Sequence, residues 1–386
     1  MGTCYGRRAR KAGDVIPNDV AAGHDGSGDP LLDVTRLTPS AAVTAAQAAD
    51  AVRVSFRLSG GLEHGLEHGL ERLPGEADDN FLLRAGGEKR YVVKFAHLRA
   101  DPRVVSVQVR VLKHIESVAG GLPVPRVVPA VDGQLWTMVA DGPLRGRVVH
   151  VITYLDGELL RAVPTSAALR YRLGVTLAEL GRALREFDDD DPVLLRPLLW
   201  DLSQLAQLSP LIAERPKTAD TNRLDEQLNR FTAEVAPRLA AQRTQLVHND
   251  FSPDNVLADA RRVRGIIDFG DVTVTALVND VAIAAAYQLS PEPDLLRPAL
   301  DLISGYHATT PLTTAELDLL PELIGARILA RIVISEWRAA RFGDNRAYIL
   351  RNTPRAWDHL GRLQSIRTDE ITERIHRACE PEARHA

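Results

Sequence analysis

Two cysteines, Cys4 and Cys379, stand near opposite ends of the 386-residue chain. So few, so placed, build neither a disulfide framework nor a cysteine metal site, and a reducing cytoplasm is the natural compartment. Apolar runs long enough to span a bilayer are also missing. Arg7, Arg8, Arg10 and Lys11 open the chain with no apolar run behind them, which argues against a signal peptide and a membrane anchor. The net charge of −4 is small, and no Lys/Arg run is interleaved with aromatics, so the electrostatic footprint of a nucleic-acid binder is absent. A small-molecule substrate fits better, and nothing in the pattern sets a number of subunits. What is present, 45% hydrophobic and 25% charged residues, is ordinary for a globular chain with room for two or three lobes. Residues 1–30, rich in Gly, Asp and Ala, are expected to lack fixed structure.

The most informative stretch is Leu246-Val-His248-Asn-Asp250-Phe-Ser-Pro-Asp-Asn255-Val-Leu257, followed by Gly265-Ile-Ile-Asp268-Phe-Gly-Asp271. Two apolar strand-like runs bracket a polar loop and a turn, so Asp250, Asn255 and Asp268 can converge on one point. Phosphoryl transfer to a hydroxyl needs a carboxylate to orient the nucleophile and take its proton, and oxygen ligands to hold magnesium against the triphosphate. Taken singly, Asp250 and Asn255 read equally well as Asx-turn formers, and His248 as a buried histidine bonded to backbone. Asp268 shifts the balance, because an aspartate ending the run Val263 to Asp268 is costly to desolvate unless it is paired or binds a metal.

In chain order, Pro39 to Asp50 reads as an alanine-rich helix capped by Ser40 or Thr38, and Val52 to Leu58 alternates as a strand does. A tandem repeat, GLEH-GLEH-GLER, follows; His64 and His68 have a zinc-compatible spacing, but Gly65 favours a duplicated loop. Glu76 to Arg84, a Gly86-Gly87 turn and Arg90 to Phe95 make a hairpin that carries Lys94. An ammonium flanked by apolar residues on an inward strand calls for an anion, which nucleotide phosphates would supply; a lysine snorkelling from an edge strand is the bland alternative. Asp101 to Ser117 is predicted helical and offers Gln108 where an acidic partner for Lys94 might stand. Strands are predicted over Gln134 to Val139 and Arg147 to Leu155. The second ends in a hinge where backbone groups from Thr153 to Leu155 would meet a purine edge, unless this is an ordinary strand-to-turn junction. Beyond Ser166 the pattern is helical: 168–187, 220–239, a buried helix from Asn279, then 293–306, 314–324, 326–341 and 367–379. Segment 326–341 holds Arg331, Glu336, Trp337 and Arg338, more charge than a structural core helix needs; a substrate groove explains some of it, a solvent face all of it.

HNDFSPDNVL and GIIDFGD resemble the aminoglycoside phosphotransferase and choline kinase superfamily. LPGEADDNFLLR, VITYLDGELL and SEWRAARFGDNRAYILRNTPRAW resemble its hydroxylysine kinase group. The resemblance runs from about Ser40 to Leu363. It implies an α+β, bilobal protein-kinase-like fold, with a five-stranded antiparallel sheet lobe over 31–155 and a mainly helical lobe over 156–380. It implies Asp250 as catalytic base, Asn255 and Asp268 as Mg2+ ligands, Lys94 as the phosphate-pairing lysine, His248 shaping the catalytic loop and Asp280 bracing it. The backbone around Thr153 and Leu155 would hold the purine of ATP or GTP. Gln108 departs from the superfamily's acidic residue, leaving Lys94 to be positioned by phosphate. The acceptor expected is a small cationic or zwitterionic metabolite, hydroxylysine first, with homoserine, aminoglycosides, choline and ethanolamine behind it. Glu336 and Asp344 are candidates for an acidic acceptor pocket. A nucleotide-holding regulatory module without transfer is the alternative of another class.

Overall fold

The computed structural model describes residues 42–60, 69–75, 78–86, 89–341 and 346–380. The expectations for the first 30 residues, Ser40, Thr38, His64, His68 and Asp344 lie outside them.

The first helix, α1 (Ala45–Phe56), begins at Thr44, whose side chain accepts the Gln47 N–H while the Gln47 side chain accepts the Thr44 N–H. This capping box satisfies two otherwise orphaned donors. The alternation expected to make a strand of Val52 to Leu58 is therefore helical as far as Phe56. Ala48, Val52 and Phe56 recur every four residues and together form the buried face. That face lies on a sheet of β1 (Leu70–Leu73), β2 (Asp79–Ala85), β3 (Lys89–Phe95), β4 (Val127–Val128), β5 (Thr137–Met138) and β6 (Val148–Thr153). Five strands follow the antiparallel path β1-β2-β3-β6-β4, and the two-residue β5 adds a sixth on β6, all that pairs of the strand expected over Gln134 to Val139.

Successive residues of a strand face opposite ways, and the sheet uses both faces. Phe81, Val93 and Val151 stand side by side in register and share an apolar cluster with α1. Asn80, Lys94 and His150 are also in register, so Lys94 projects from the opposite face. On that side lies α2 (Pro102–Val118), capped by Asp101, whose Val107, Val111 and Ile115 join the main core with Val148 and Ile152.

The rest is mainly helical. It comprises α3 (Ala167–Arg185), α4 (Ser209–Ala213), α5 (Ala219–Arg230), α6 (Ala236–Ala240), α7 (Leu277–Tyr287), α8 (Arg297–Thr309), α9 (Thr314–Arg341), α10 (Arg346–Leu350), α11 (Thr353–Gln364) and α12 (Thr368–Cys379). The stretch expected as one helix over 220–239 is α5 and α6 joined by a π-helical turn, Phe231–Val235. Conversely, the two helices expected on either side of Gly325 are a single 28-residue α9 that runs through Pro321. Leu319, Leu320, Leu323 and Ile324 are buried around that proline, and their packing outweighs the one ladder bond it removes. Helices α3 and α8 meet backbone to backbone: a Cβ at Gly174 would collide with the Leu302 carbonyl oxygen, and one at Gly305 with that of Tyr171. No helix of the described residues is long and apolar enough to cross a membrane.

Two short antiparallel sheets interrupt the helices. One pairs β8 (Thr244–Val247) with β11 (Thr273–Ala276); the other has the order β10-β9-β7, from β7 (Glu158–Leu159), β9 (Val256–Ala258) and β10 (Val263–Ile266). The loop from β8 to β9 carries Asp250 and Asn255, and the turn after β10 carries Asp268.

Candidate active site

The β8–β9 loop is hung from α7. Buried Asp280 accepts the His248 N–H at 3.2 Å on one carboxylate oxygen and the Asn249 N–H at 2.8 Å on the other. This holds Asn249 at φ 64°, in the left-handed region that asparagine tolerates better than most residues. Burial pushes the Asp280 carboxyl up, and His248 and the two N–H groups pull the other way. His248 is fully buried. Its Nε2–H donates to the Ile267 carbonyl at 3.1 Å and its Nδ1 accepts the Asp250 N–H at 3.3 Å, a pattern that needs the neutral ring. Burial lowers its pKa and keeps it neutral, against the opposing pull of Asp280 and Asp268. His248 thereby ties the Asp250 loop to the strand end before Asp268.

Asp250 is clamped on both oxygens. Asn255 Nδ2 donates to Oδ2 at 2.6 Å, and Arg327 Nη2 donates to Oδ1 at 2.8 Å. Arg327 is almost wholly buried. It also donates to the Trp200 carbonyl and the Tyr287 hydroxyl, and its guanidinium lies over both aromatic rings. No sequence expectation included this residue. The available signal was an arginine inside the apolar run Gly325 to Ile334, one helical turn before Arg331 and on the same face.

Lys94 comes from β3 to within 3.6 Å of Asp268 Oδ1. Burial disfavours its charge, but Asp268 and then Asp78 more than offset this, and the pKa is raised. Asp268 is held below the usual carboxylate range, first by Lys94. Its own backbone is left-handed, φ 63°, a conformation that costs on the order of 1 kcal/mol for a non-glycine residue. Lys94 is thus positioned by protein and not by phosphate alone, and its partner is not on α2. Gln108 is buried there but makes no hydrogen bond to Lys94, so its expected supporting role fails on geometry. The turn after Asp268 is braced by Arg196, which donates to the Gly270 carbonyl at 2.6 Å and the Val272 carbonyl at 3.1 Å.

Magnesium keeps several waters and takes one or two protein oxygens alongside phosphate oxygens. The residues present fit such an ion. Asp268 has 54% of its side chain exposed, and Asn255, having spent its amide on Asp250, keeps Oδ1 without a hydrogen-bond partner among the described residues. Negative charge is in excess as well: burial, then the charges of Asp250 and Asp268, push the Asp271 carboxyl up to about 6. A divalent cation would relieve that repulsion. Among the described residues no group of three or more His, Cys, Asp and Glu side chains forms a cage of its own.

Two other expectations change. The Thr153 N–H is taken by the Arg126 carbonyl at 2.8 Å and its hydroxyl accepts the Arg126 N–H, so its main-chain donor is not free for a purine. The Leu155 main chain has no hydrogen-bond partner among the described residues and keeps that capacity. Glu336 does not line an acidic pocket: it pairs with Arg215 at 2.7 Å and accepts the Trp357 indole N–H at 2.9 Å, fastening α11 to α9.

The sequence model of a family described as "Phosphotransferase enzyme family" matches residues 69–320. Hydroxylysine kinase of Mus musculus is 23% identical over 324 residues, which cover 78% of this chain and 86% of its own length. Homoserine kinase of Granulibacter bethesdensis is 28% identical over 295 residues, 72% of this chain and 80% of its own. Among solved structures, an amicoumacin kinase in complex with AMP-PNP, Ca2+ and Ami superposes with a TM-score of 0.62 at 14% identity, covering 87% of this chain and 97% of that one. The bilobal architecture, antiparallel sheet first and helices after, is the fold expected from the sequence.

Proposed function

The chain belongs to the phosphotransferase enzyme family, and on that premise we propose that it moves the γ-phosphate of ATP or GTP to a hydroxyl of an amino-bearing metabolite, hydroxylysine being the favoured acceptor. The observation that carries this reading is the two-sided clamp on Asp250, from Asn255 and Arg327. It fixes a carboxylate where it can orient a hydroxyl and accept its proton, beside a lysine–aspartate pair suited to a metal–nucleotide complex.

Each residue then has a part. Asp250 aligns the acceptor hydroxyl and receives its proton as the new oxygen–phosphorus bond forms and the γ-phosphorus bond to the bridging oxygen breaks, releasing the nucleoside diphosphate. Asn255 and Asp268 would hold Mg2+, which would offset charge on the phosphate oxygens. Lys94 turns its ammonium from Asp268 toward the phosphates, and the free Leu155 main chain takes the purine edge. His248 and Asp280 keep the loop rigid so that Asp250 does not have to reorganise. The cytoplasm, where nucleoside triphosphates and free amino acids meet, is the proposed compartment. Hydroxylysine stands first because of the relative at 23% identity, and homoserine second through the one at 28%. Aminoglycosides, choline and ethanolamine follow. Gln108, without a hydrogen bond to Lys94, and the lengthened GLEH loop, which lies outside the described residues, favour a nucleotide-binding module lacking transfer.

A nucleotide-coupled assay over these acceptors, with ATP and with GTP, tests the proposal. Acceptor-dependent nucleotide consumption that needs Mg2+ and falls in Asp250→Asn is expected. Nucleotide binding with no consumption for any acceptor would move the assignment to the binding module.

A further inference from the structure

Three arginines gather on the far side of Asp250, and only one has a carboxylate. Arg327 and Arg331 lie one turn apart on α9, and Arg355 reaches in from α11. Arg327 is taken by Asp250, the Trp200 carbonyl and the Tyr287 hydroxyl. Arg355 donates to the Leu289 carbonyl and to His359 Nε2, at 3.3 and 3.4 Å. Arg331 has no hydrogen bond and no ion pair among the described residues. Its one contact of note is with the face of the Tyr287 ring, 4.5 Å from the guanidinium carbon.

Such a guanidinium is out of balance. Burial, and then the like charges of Arg327 and Arg355, pull its pKa down, against Tyr287 and Asp250. His359 beside it is held neutral, its pKa lowered to about 4 by burial and by Arg355 and Arg331, so it adds no charge but supplies none of the missing anion either. A cation over an aromatic face recovers only part of what desolvation takes, and a planar guanidinium is matched by a carboxylate, which it binds through two parallel hydrogen bonds. The position says where that carboxylate comes from. One helical turn, about 6 Å along the axis, separates Arg331 from the arginine that holds the base. The carbon chain of a hydroxylated amino acid bridges such a gap with its hydroxyl on Asp250 and its carboxylate on Arg331. The nucleotide phosphates have their own cation in Lys94, on the sheet side of the site.

We infer that Arg331 is a specificity-determining residue that recognises a carboxylate on the acceptor, so that the substrate class is hydroxy amino acids and not amino alcohols or aminoglycosides. The inference rests on the kinase reading above and narrows it. It also replaces the expected acidic pocket with a basic one at this end of the acceptor.

The test compares 5-hydroxylysine and homoserine with their decarboxylated counterparts, 1,5-diaminopentan-2-ol and 3-aminopropan-1-ol, in wild type, Arg331→Met and Arg331→Lys. Wild type is expected to prefer the acids by at least tenfold in kcat/KM. In Arg331→Met that ratio should fall at least tenfold, through KM for the acid, while Arg331→Lys, which keeps the charge without the fork, should lie between. A wild-type preference for the decarboxylated amines, or a ratio that Arg331→Met leaves within twofold, overturns the inference while the kinase reading stands. If no acceptor is phosphorylated, the kinase reading fails, and thermal stabilisation of the nucleotide-loaded protein decides the carboxylate site. Stabilisation by the acids and not the amines, lost in Arg331→Met, supports it; equal or no stabilisation overturns it.

Discussion

Two part-buried cations flank Asp250 and their circumstances differ. Lys94, on the sheet side, has an aspartate at 3.6 Å waiting for it. Arg331, on the helical side, has an aromatic face and two other arginines. Where a protein supplies its own counter-charge, the site is complete enough to be recognised from a motif. Where it does not, the proposed partner is the acceptor's carboxylate, and only packing shows the cation that would take it. The sheet side therefore speaks to the reaction, the helical side to the acceptor.

The largest effect should come from breaking the paired side. Asp268→Ala removes both the proposed metal ligand and the partner of Lys94, and kcat/KM should drop on the order of 10³-fold or more in steady-state assays with saturating Mg2+. Undiminished metal-dependent turnover would remove Asp268 from the metal site. Asp250→Asn keeps the volume of the side chain but loses the proton acceptor and one arm of the clamp. A fall in kcat of roughly 10²- to 10⁴-fold is expected, and Asp268→Ala should be at least as damaging. Lys94→Met should act on the nucleotide alone, raising its KM roughly tenfold with acceptor KM little changed; the opposite split would erase the contrast between the two sides.

Smaller effects sharpen the same contrast. Glu336→Gln breaks a partly buried pair and leaves Arg215 without its carboxylate, so unfolding should become easier by about 1–2 kcal/mol. Acceptor KM should move less than twofold, and a tenfold rise would return Glu336 to the pocket. Asp271→Asn concerns pH. The folded-state pKa of Asp271, about 6, lies above its reference value of 3.8. The folded protein therefore holds a proton that the unfolded chain has released, and stability falls as pH rises through that interval. In the nucleotide-free protein Asp271→Asn should stabilise on the order of 1 kcal/mol near neutral pH, with the gain shrinking as denaturation is repeated toward the acid end of that window. A gain that grows toward acid pH contradicts the sign.

What could be read from the chain in advance follows from how local the relevant interactions are. Asp250, Asn255 and His248 act over a few residues, and their spacing carries the information. The face of Lys94 followed from strand alternation. Arg327 meets Asp250 across 77 positions, and no periodicity announces such a pairing. Thr153 looked available until Arg126, distant in sequence, proved to occupy its N–H. Glu336 was misread because a lone acid on an amphipathic helix looks the same whether it faces a substrate or the indole of the next helix. The two helices that turned out to be α9 were split at Gly325, whose local cost burial outweighs.

The close approach of α3 and α8 at Gly174 and Gly305 has a consequence for how this protein can change over generations. Neither position lies near a reacting atom, yet any side chain at either would collide with a main-chain carbonyl of the facing helix. Helix α8, displaced, would press on α7, which carries Asp280 and with it the loop that Asp280 holds. Arg331 and Arg355, by contrast, reach their neighbours through long side chains. With the acceptor site proposed above, adaptation to new acceptors would run through those side chains, and it is closed at two silent positions that chemistry alone would never mark as essential.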